Sequence, residues 1–330
     1  MMIPQVAKRL IEMYGKDKEV LLDPFMGSGT ALLEATLHKN FKKAYGIDIN
    51  PLALLIAKVK TTPINPEKVK EEYKKLMMRC NSGKKAVNFR QKEIEKPNFF
   101  NIEFWFKPKV ITDLAIIKEN INKIEDDNIK DFFLIAFSET VRNVSNTRNS
   151  EYKLYRMSQT MLLKHIPDTF EEFKNKASKN IASMEEYHRE HNPKCDVSIF
   201  AEDTRNLTSI PANSVDLIVT SPPYGDSRTT VAYGQFSRLG LQWLGHDKNS
   251  VLGIDKTSLG GIPTKDLSNG LDSATLKKTL NKIAEIDPKR AKDVLSFYVD
   301  FDKCIKDKKG CFFMFCSWKQ NRKGCSNPNR

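Results

Sequence analysis

Long apolar runs are missing from this chain of 330 residues. No segment approaches the roughly 20 apolar residues that a membrane-crossing helix needs, and no apolar leader core stands near Met1. Both absences make a cytoplasmic protein the expectation. Cysteine is sparse and poorly spaced for metal. Cys80, Cys195, Cys304, Cys311, Cys316 and Cys325 include no Cys-x-x-Cys pair and have no histidines at ligand spacing beside them. This argues against a zinc site and for free thiols in a reducing compartment. Internal repeats are absent too, which excludes solenoid and propeller architectures.

What the chain has in excess is positive charge. Lysine and arginine number 54 against 41 acidic residues, for a formal net charge of +13. Such a surplus suits an anionic partner such as nucleic acid, although lysine favoured as an ordinary surface residue produces the same count. Hydrophobic residues at 40% and charged residues at 29% fit a globular protein, and the length allows one large domain or two.

Residues 5–14 have apolar side chains at helical spacing. Val20 to Leu22 then reads as a short buried strand, Asp23 to Thr30 as a glycine-containing loop, 31–39 as a helix and Ala44 to Ile49 as a second strand. Asn50-Pro51 starts another helix, since proline is tolerated in a first turn. The stretch from 66 to 193 is lysine-rich and helical by pattern, for example over 67–78, 109–124 and 129–141, and is interrupted by the polar segment Arg142 to Glu151. Strand patterns return at Val197 to Phe200 and Val215 to Thr220. Residues 225–290 are mixed and contain the flexible-looking run Ser258 to Thr264. A helix is expected over 291–306 and a last strand over 311–315. The alternation predicts an α/β protein with a doubly wound, Rossmann-like sheet and an inserted helical region.

Two segments carry chemistry. The first is Asp23-Pro24-Phe25-Met26-Gly27-Ser28-Gly29-Thr30, set between a strand and a helix. Gly27 and Gly29 leave room for close backbone approach to a ligand, and the helix that follows offers unpaired N–H groups at its start. A phosphate-binding loop would end in Gly-Lys-Ser/Thr, which is missing, and the acidic Asp23 suits ammonium or hydroxyl donors instead. Asp48 follows at about the 20-residue offset of a carboxylate that accepts from ribose hydroxyls. A lone glycine loop also fits an ordinary tight turn, but the whole strand–loop–helix–strand–Asp arrangement points to cofactor binding.

The second segment is Ser221-Pro222-Pro223-Tyr224, directly after the strand 215–220. In open α/β sheets the ligand crevice lies at the carboxyl ends of the strands, which brings this segment beside the glycine loop. An aromatic amino nitrogen is a weak nucleophile because its lone pair is delocalised into the ring. Two acceptors for its hydrogens, the Ser221 hydroxyl and the Pro222 carbonyl, would draw it toward a tetrahedral form. Consecutive prolines hold such acceptors stiffly, and Tyr224 would stack on a flipped-out base. The alternative is a rigid Pro-Pro turn with a packing tyrosine.

Residues 23–30 and Thr220 to Tyr224 resemble the cofactor and catalytic motifs of the DNA amino-methyltransferases, with Ser-Pro-Pro-Tyr similar to the cytosine-N4 version. The resemblance implies a Rossmann-like sheet and direct methyl transfer from S-adenosylmethionine to a flipped base in double-stranded DNA. No Pro-Cys nucleophile pair of the cytosine-C5 kind is present. It further implies that Asp23, Phe25, Gly27, Ser28, Gly29 and Thr30 line the cofactor, that Asp48 binds its ribose and that Asp203 contacts its adenine amino group. Ser221, Pro222, Pro223 and Tyr224 become the catalytic set, and a restriction endonuclease becomes a possible cognate partner. Arg142, Arg148, Lys153 and Arg156 in the helical region fit either phosphate contacts or a solvated basic face.

The resemblance divides the chain into a cofactor half (1–65), a helical insert (66–193), a second half with the catalytic motif (194–245) and a recognition segment with an incomplete sheet (246–330). At least two more strands are expected beyond 311–315. The polar tail from Ser317 therefore suggests truncation or a shifted reading frame, and the first helix starts so near Met1 that the amino end also reads as short. Competing expectations are an adenine-N6 DNA methyltransferase, a tRNA guanine-N2 methyltransferase sharing Pro-Pro-Tyr-Gly, and an inactive DNA-binding remnant.

Overall fold

A computed structural model describes residues 2–90, 93–148, 153–223, 225, 232–268, 271–306 and, as backbone, 312–315. Helix α1 (Pro4–Tyr14) precedes strand β1 (Val20–Asp23), helix α2 (Thr30–Leu37), strand β2 (Lys43–Ile47) and helix α3 (Pro51–Thr61). Six helices follow: α4 (Pro66–Asn88), α5 (Ile102–Trp105), α6 (Pro108–Asn122), α7 (Asp127–Val144), α8 (Gln159–Lys164) and α9 (Thr169–Glu190). The chain then returns to the sheet with β3 (Asp196–Phe200), a 3₁₀ turn (Thr204–Asn206) and β4 (Leu217–Thr220). Helices α10 (Tyr233–Leu244), α11 (Lys248–Thr257), α12 (Ala274–Ala284) and α13 (Pro288–Lys306) lead to β5 (Phe312–Phe315).

The five strands are all parallel, in the order β3-β2-β1-β4-β5. The order reverses direction at β1, between β2 and β4, which is where such sheets open a ligand crevice. Parallel strands are covered on both faces and so read as continuous apolar runs. Accordingly Leu217, Ile218 and Val219 of β4 are fully buried, whereas β3 at the sheet edge is only half-buried.

Alternate residues of the strands face opposite layers. Leu21, Ala44, Leu217 and Val219 pack against α1, α2 and α3 through Ala7, Ile11, Ala31, Leu32, Ala35 and Ala57. Leu22, Tyr45, Ile47 and Ile218 form a smaller cluster on the other face. A larger separate core joins α4, α6, α7 and α9 to α10. Trp243 of α10 meets Phe99, Phe106 and Phe137 edge to face at 5.7–6.1 Å between ring centres.

Local chemistry sets the helix starts. Proline occupies the first turn of α1, α3, α4 and α6, where a missing N–H costs nothing. Asn50, Asn65, Asp126, Asp168 and Asp247 accept from backbone amides in the first turns of their helices.

One sequence expectation holds and one changes. The polar segment that begins at Arg142 does interrupt the helices, since α7 ends at Val144 and α8 starts only at Gln159, while Ser145, Asn146 and Thr147 are buried. Their polar groups are satisfied locally: Ser145 Oγ donates to Arg142 O and shares a 2.7 Å hydrogen bond with Thr147 Oγ1, and Asn146 donates to Trp105 O and Phe104 O. The run 258–264 is a pinned turn. Gly260 has φ +67° and packs so tightly on Phe297 that an added Cβ would sit 3.0 Å from its backbone, while Gly260 N donates to Asp300 and Ser296 Oγ donates to Ile262 O.

Candidate active site

Asp23, Asp48, Asp203 and Ser221 all lie at or just beyond the carboxyl ends of parallel strands, so one edge of the sheet gathers them from distant parts of the chain. Asp23 closes β1. Its carboxyl is 3% exposed and is pushed up to about 7, chiefly by burial, against the lowering effect of its hydrogen bonds. Both of those bonds reach Oδ1: the Thr220 hydroxyl donates across 2.6 Å and the Phe25 amide across 3.1 Å.

The glycine loop takes its shape from residues on either side. Gly27 has φ +51° and Gly29 φ +73°, both in the left-handed region that glycine enters at little cost. Gly29 also marks the crossing of α2 and α3, since a Cβ there would lie 2.8 Å from Ala57 Cβ. A Cβ on Gly27 would meet nothing within 4 Å, so this glycine faces open space and not packing. Ser28 is half-buried, and Thr30 is buried at the start of α2. Phe25 lies 6.2 Å from Phe301 of α13, ring centre to ring centre, and Phe301 stacks on Phe297.

Asp48 braces this loop. Its Oδ2 accepts from Gly27 N at 3.0 Å, its Oδ1 accepts from Asn50 N at 2.8 Å, and burial raises its pKa. Asn50 in turn caps α3 and donates to Ser237 Oγ of α10 across 3.1 Å. Asp203 stands beyond β3 and is held in a fork by Arg205, whose Nε donates to both carboxylate oxygens at 2.9 Å. Burial acts to raise Asp203, but the Arg205 hydrogen bonds and charge outweigh it and hold the carboxyl below its ordinary value. Arg205 Nη1 also donates to Asp300 of α13 at 2.8 Å, and Nη2 to Thr257 O at 2.8 Å.

Ser221, Pro222 and Pro223 are half-buried directly after the fully buried Thr220. Gly225 N donates to Pro223 O at 3.0 Å, and Gly225 has φ +87°. Tyr224 lies outside the described residues, as does the chain beyond 315 where truncation was expected.

Sequence reasoning gave no role to Thr220, Lys60, Arg205 or Asp300. Lys60 of α3 donates to the Ser28 carbonyl at 3.0 Å, and burial lowers its pKa. Nothing local in the sequence marks Lys60 or Asp300, because both act across tertiary contacts. Arg205 had a signal in its Asp-x-Arg spacing from Asp203. Arg142 fits neither reading given to it: it is 9% exposed, with its guanidinium carbon 5.0 Å from the centre of the Phe236 ring.

A parallel sheet in this order, with a glycine loop after its first strand and an acidic residue after its second, is a Rossmann-like cofactor-binding sheet. Residues 4–59 match a family model described as DNA methylase. The chain is 42% identical over 325 residues to the Type II methyltransferase M.MvaI of Kocuria varians, covering 93% of this chain and 71% of that protein. It is 22% identical over 205 residues to the Type II methyltransferase M.MjaII of Methanocaldococcus jannaschii, covering 44% of this chain and 38% of that one. No solved structure matches. The chain belongs to the DNA amino-methyltransferase family.

Proposed function

We propose that the chain is a site-specific DNA methyltransferase that carries a methyl group from S-adenosylmethionine to N4 of cytosine in double-stranded DNA. It would act in the cytoplasm as the modification half of a restriction–modification pair. The observation that carries this reading is the joining of the two motifs: Thr220, the residue before Ser221, donates to Asp23 at the mouth of the glycine loop.

The residues present fit the cofactor. Gly27 leaves open space where a side chain would otherwise project, and Asp23 would meet an ammonium or hydroxyl donor at the end of β1. Asp48 would accept from the ribose hydroxyls while holding the loop amide. Asp203 serves the adenine end through a carboxylate that Arg205 keeps ionised and oriented. When bound, S-adenosylmethionine supplies a methyl group activated by its sulfonium. The protein's part is to make the acceptor nitrogen reactive. Ser221 Oγ and the Pro222 carbonyl accept the two amino hydrogens, and the prolines keep both acceptors in place before the base arrives. Tyr224 stacks on the flipped base. A serine at the head of the motif favours cytosine over adenine as the target.

The test is methyl transfer from labelled S-adenosylmethionine to unmethylated genomic DNA, read by mass spectrometry of the digested nucleosides. N4-methylcytosine is the expected product. N6-methyladenine would overturn the base assignment, and transfer to tRNA alone would overturn the DNA substrate.

A further inference from the structure

We infer that the paired segments 146–148 and 153–157, together the arch, are a grip for the DNA backbone beside the flipped base, with Arg148 and Arg156 holding phosphates. This deepens the DNA methyltransferase reading and rests on it.

The two segments pair antiparallel. Thr147 pairs with Arg156, Arg148 N donates to Tyr155 O at 2.9 Å, and Met157 N donates to Asn146 O at 2.8 Å. The base of the arch is buried and anchored on α5, through Asn146 to Trp105 O and Phe104 O. Its outer surface is basic and aromatic. Arg148 is exposed, Tyr155 is 47% exposed, and Arg156 lies 4.4 Å over the ring of Phe104, itself 43% exposed, while its Nε donates to Phe104 O at 3.0 Å. Among the described residues Arg148 and Arg156 form no ion pair, although several lysines elsewhere in the helical region are paired with acids. Stacking on a ring orients a guanidinium while leaving its outer N–H groups able to meet an anion.

The arch also stands next to the crevice. Leu154 N donates to Gln235 Oε1 of α10 at 3.3 Å. Two residues further along α10, Ser237 accepts from Asn50, whose amide donates to Asp48. The first turns of α10 therefore bridge the arch and the strand-end carboxylates, and α10 follows the Ser-Pro-Pro-Tyr segment in the chain. Phe236, 49% exposed and backed by the buried Arg142, extends the same aromatic surface. Cations beside flat rings, next to a site that must hold a splayed nucleotide, suit the sugar-phosphate backbone on either side of that nucleotide.

Arg148→Glu is the informative variant, because the side chain is exposed and the fold does not lean on it. Binding of a labelled mixed-sequence DNA duplex to the full chain is followed by fluorescence anisotropy between 50 and 200 mM salt. We expect roughly tenfold weaker binding and a salt slope smaller by about 1, the signature of one lost phosphate contact. Arg148→Lys should restore most of both. Lys179→Glu on the exposed face of α9 makes the same change in net charge and should leave both unchanged. Unchanged binding in Arg148→Glu, equal weakening in Lys179→Glu, or the same sensitivity only with duplex RNA would overturn the grip. Methylation of genomic DNA by the unaltered chain separates these failures from failure of the enzyme reading: activity intact with an unaffected Arg148→Glu removes the arch alone.

Discussion

The Thr220 hydroxyl donates to the Asp23 carboxyl across 2.6 Å, although the two residues are 197 positions apart. This bond ties the strand that presents Ser221 to the strand that opens the glycine loop. Thr220→Val keeps the shape and removes the donor. The buried carboxyl should then rise above its present value near 7, and the fold should lose about 1–2 kcal/mol. Denaturant unfolding checks the second effect, and the pH profile of unfolding checks the first.

Asp23 also makes stability depend on pH in a defined direction. The folded chain keeps this proton up to about pH 7, whereas the unfolded chain loses it near 3.8. Folding therefore takes up a proton between those values, and stability falls as pH rises through that window. Asp23→Asn retains an Oδ1 for both native donors and lacks the titration. Its stability relative to the unaltered chain should improve by on the order of 2–3 kcal/mol between pH 5 and pH 7, then level off. Parallel pH profiles of denaturant unfolding test this; profiles with the same slope would contradict the burial of Asp23.

Gly29 sits at φ +73° where α2 crosses α3, and Ala57 is too near for any side chain to stand there. Gly29→Ala should cost about 2–4 kcal/mol from backbone strain and the clash together, and should misplace the whole loop. Gly27→Ala meets no protein atom. It should cost only about 1 kcal/mol of stability yet weaken S-adenosylmethionine binding sharply. Thermal unfolding and calorimetric titration of the pair separate packing from ligand contact.

Arg205 joins Asp203 to Asp300 and to the turn at Thr257. Arg205→Met should lower stability by about 1–3 kcal/mol, because Asp203 loses its guanidinium fork and Asp300 keeps only Gly260 N and Lys303. It should also let α13 separate from the cofactor edge, which hydrogen exchange of α13 amides would report. Removing both charges, as Asp203→Asn with Arg205→Met, should restore part of the stability and none of the cofactor affinity.

Ser221→Ala tests the proposed chemistry apart from the fold. Turnover should fall by roughly 100-fold, the usual effect of losing one preorganised polar contact to a reacting group, with cofactor affinity unchanged. Equal turnover in the variant would remove Ser221 from the reaction.

The sequence by itself determined the α/β alternation, the place of the glycine loop after a strand and of Ser-Pro-Pro-Tyr after another, and the family. These are local matters: apolar runs define buried parallel strands, proline and asparagine open helices, and paired glycines allow left-handed backbone. The tertiary structure decided the rest. Burial set the protonation of Asp23, and desolvation cannot be read from neighbours in sequence. Asp48 emerged as a brace for Gly27, and Asp203 as the partner of Arg205, because each carboxylate's role depends on which donors the sheet edge brings within about 3 Å. Lys60, Asp300 and the pairing of 146–148 with 153–157 gave no sequence signal of their place. Their positions follow from tertiary contacts of α3, α13 and α10 with segments far away in the chain.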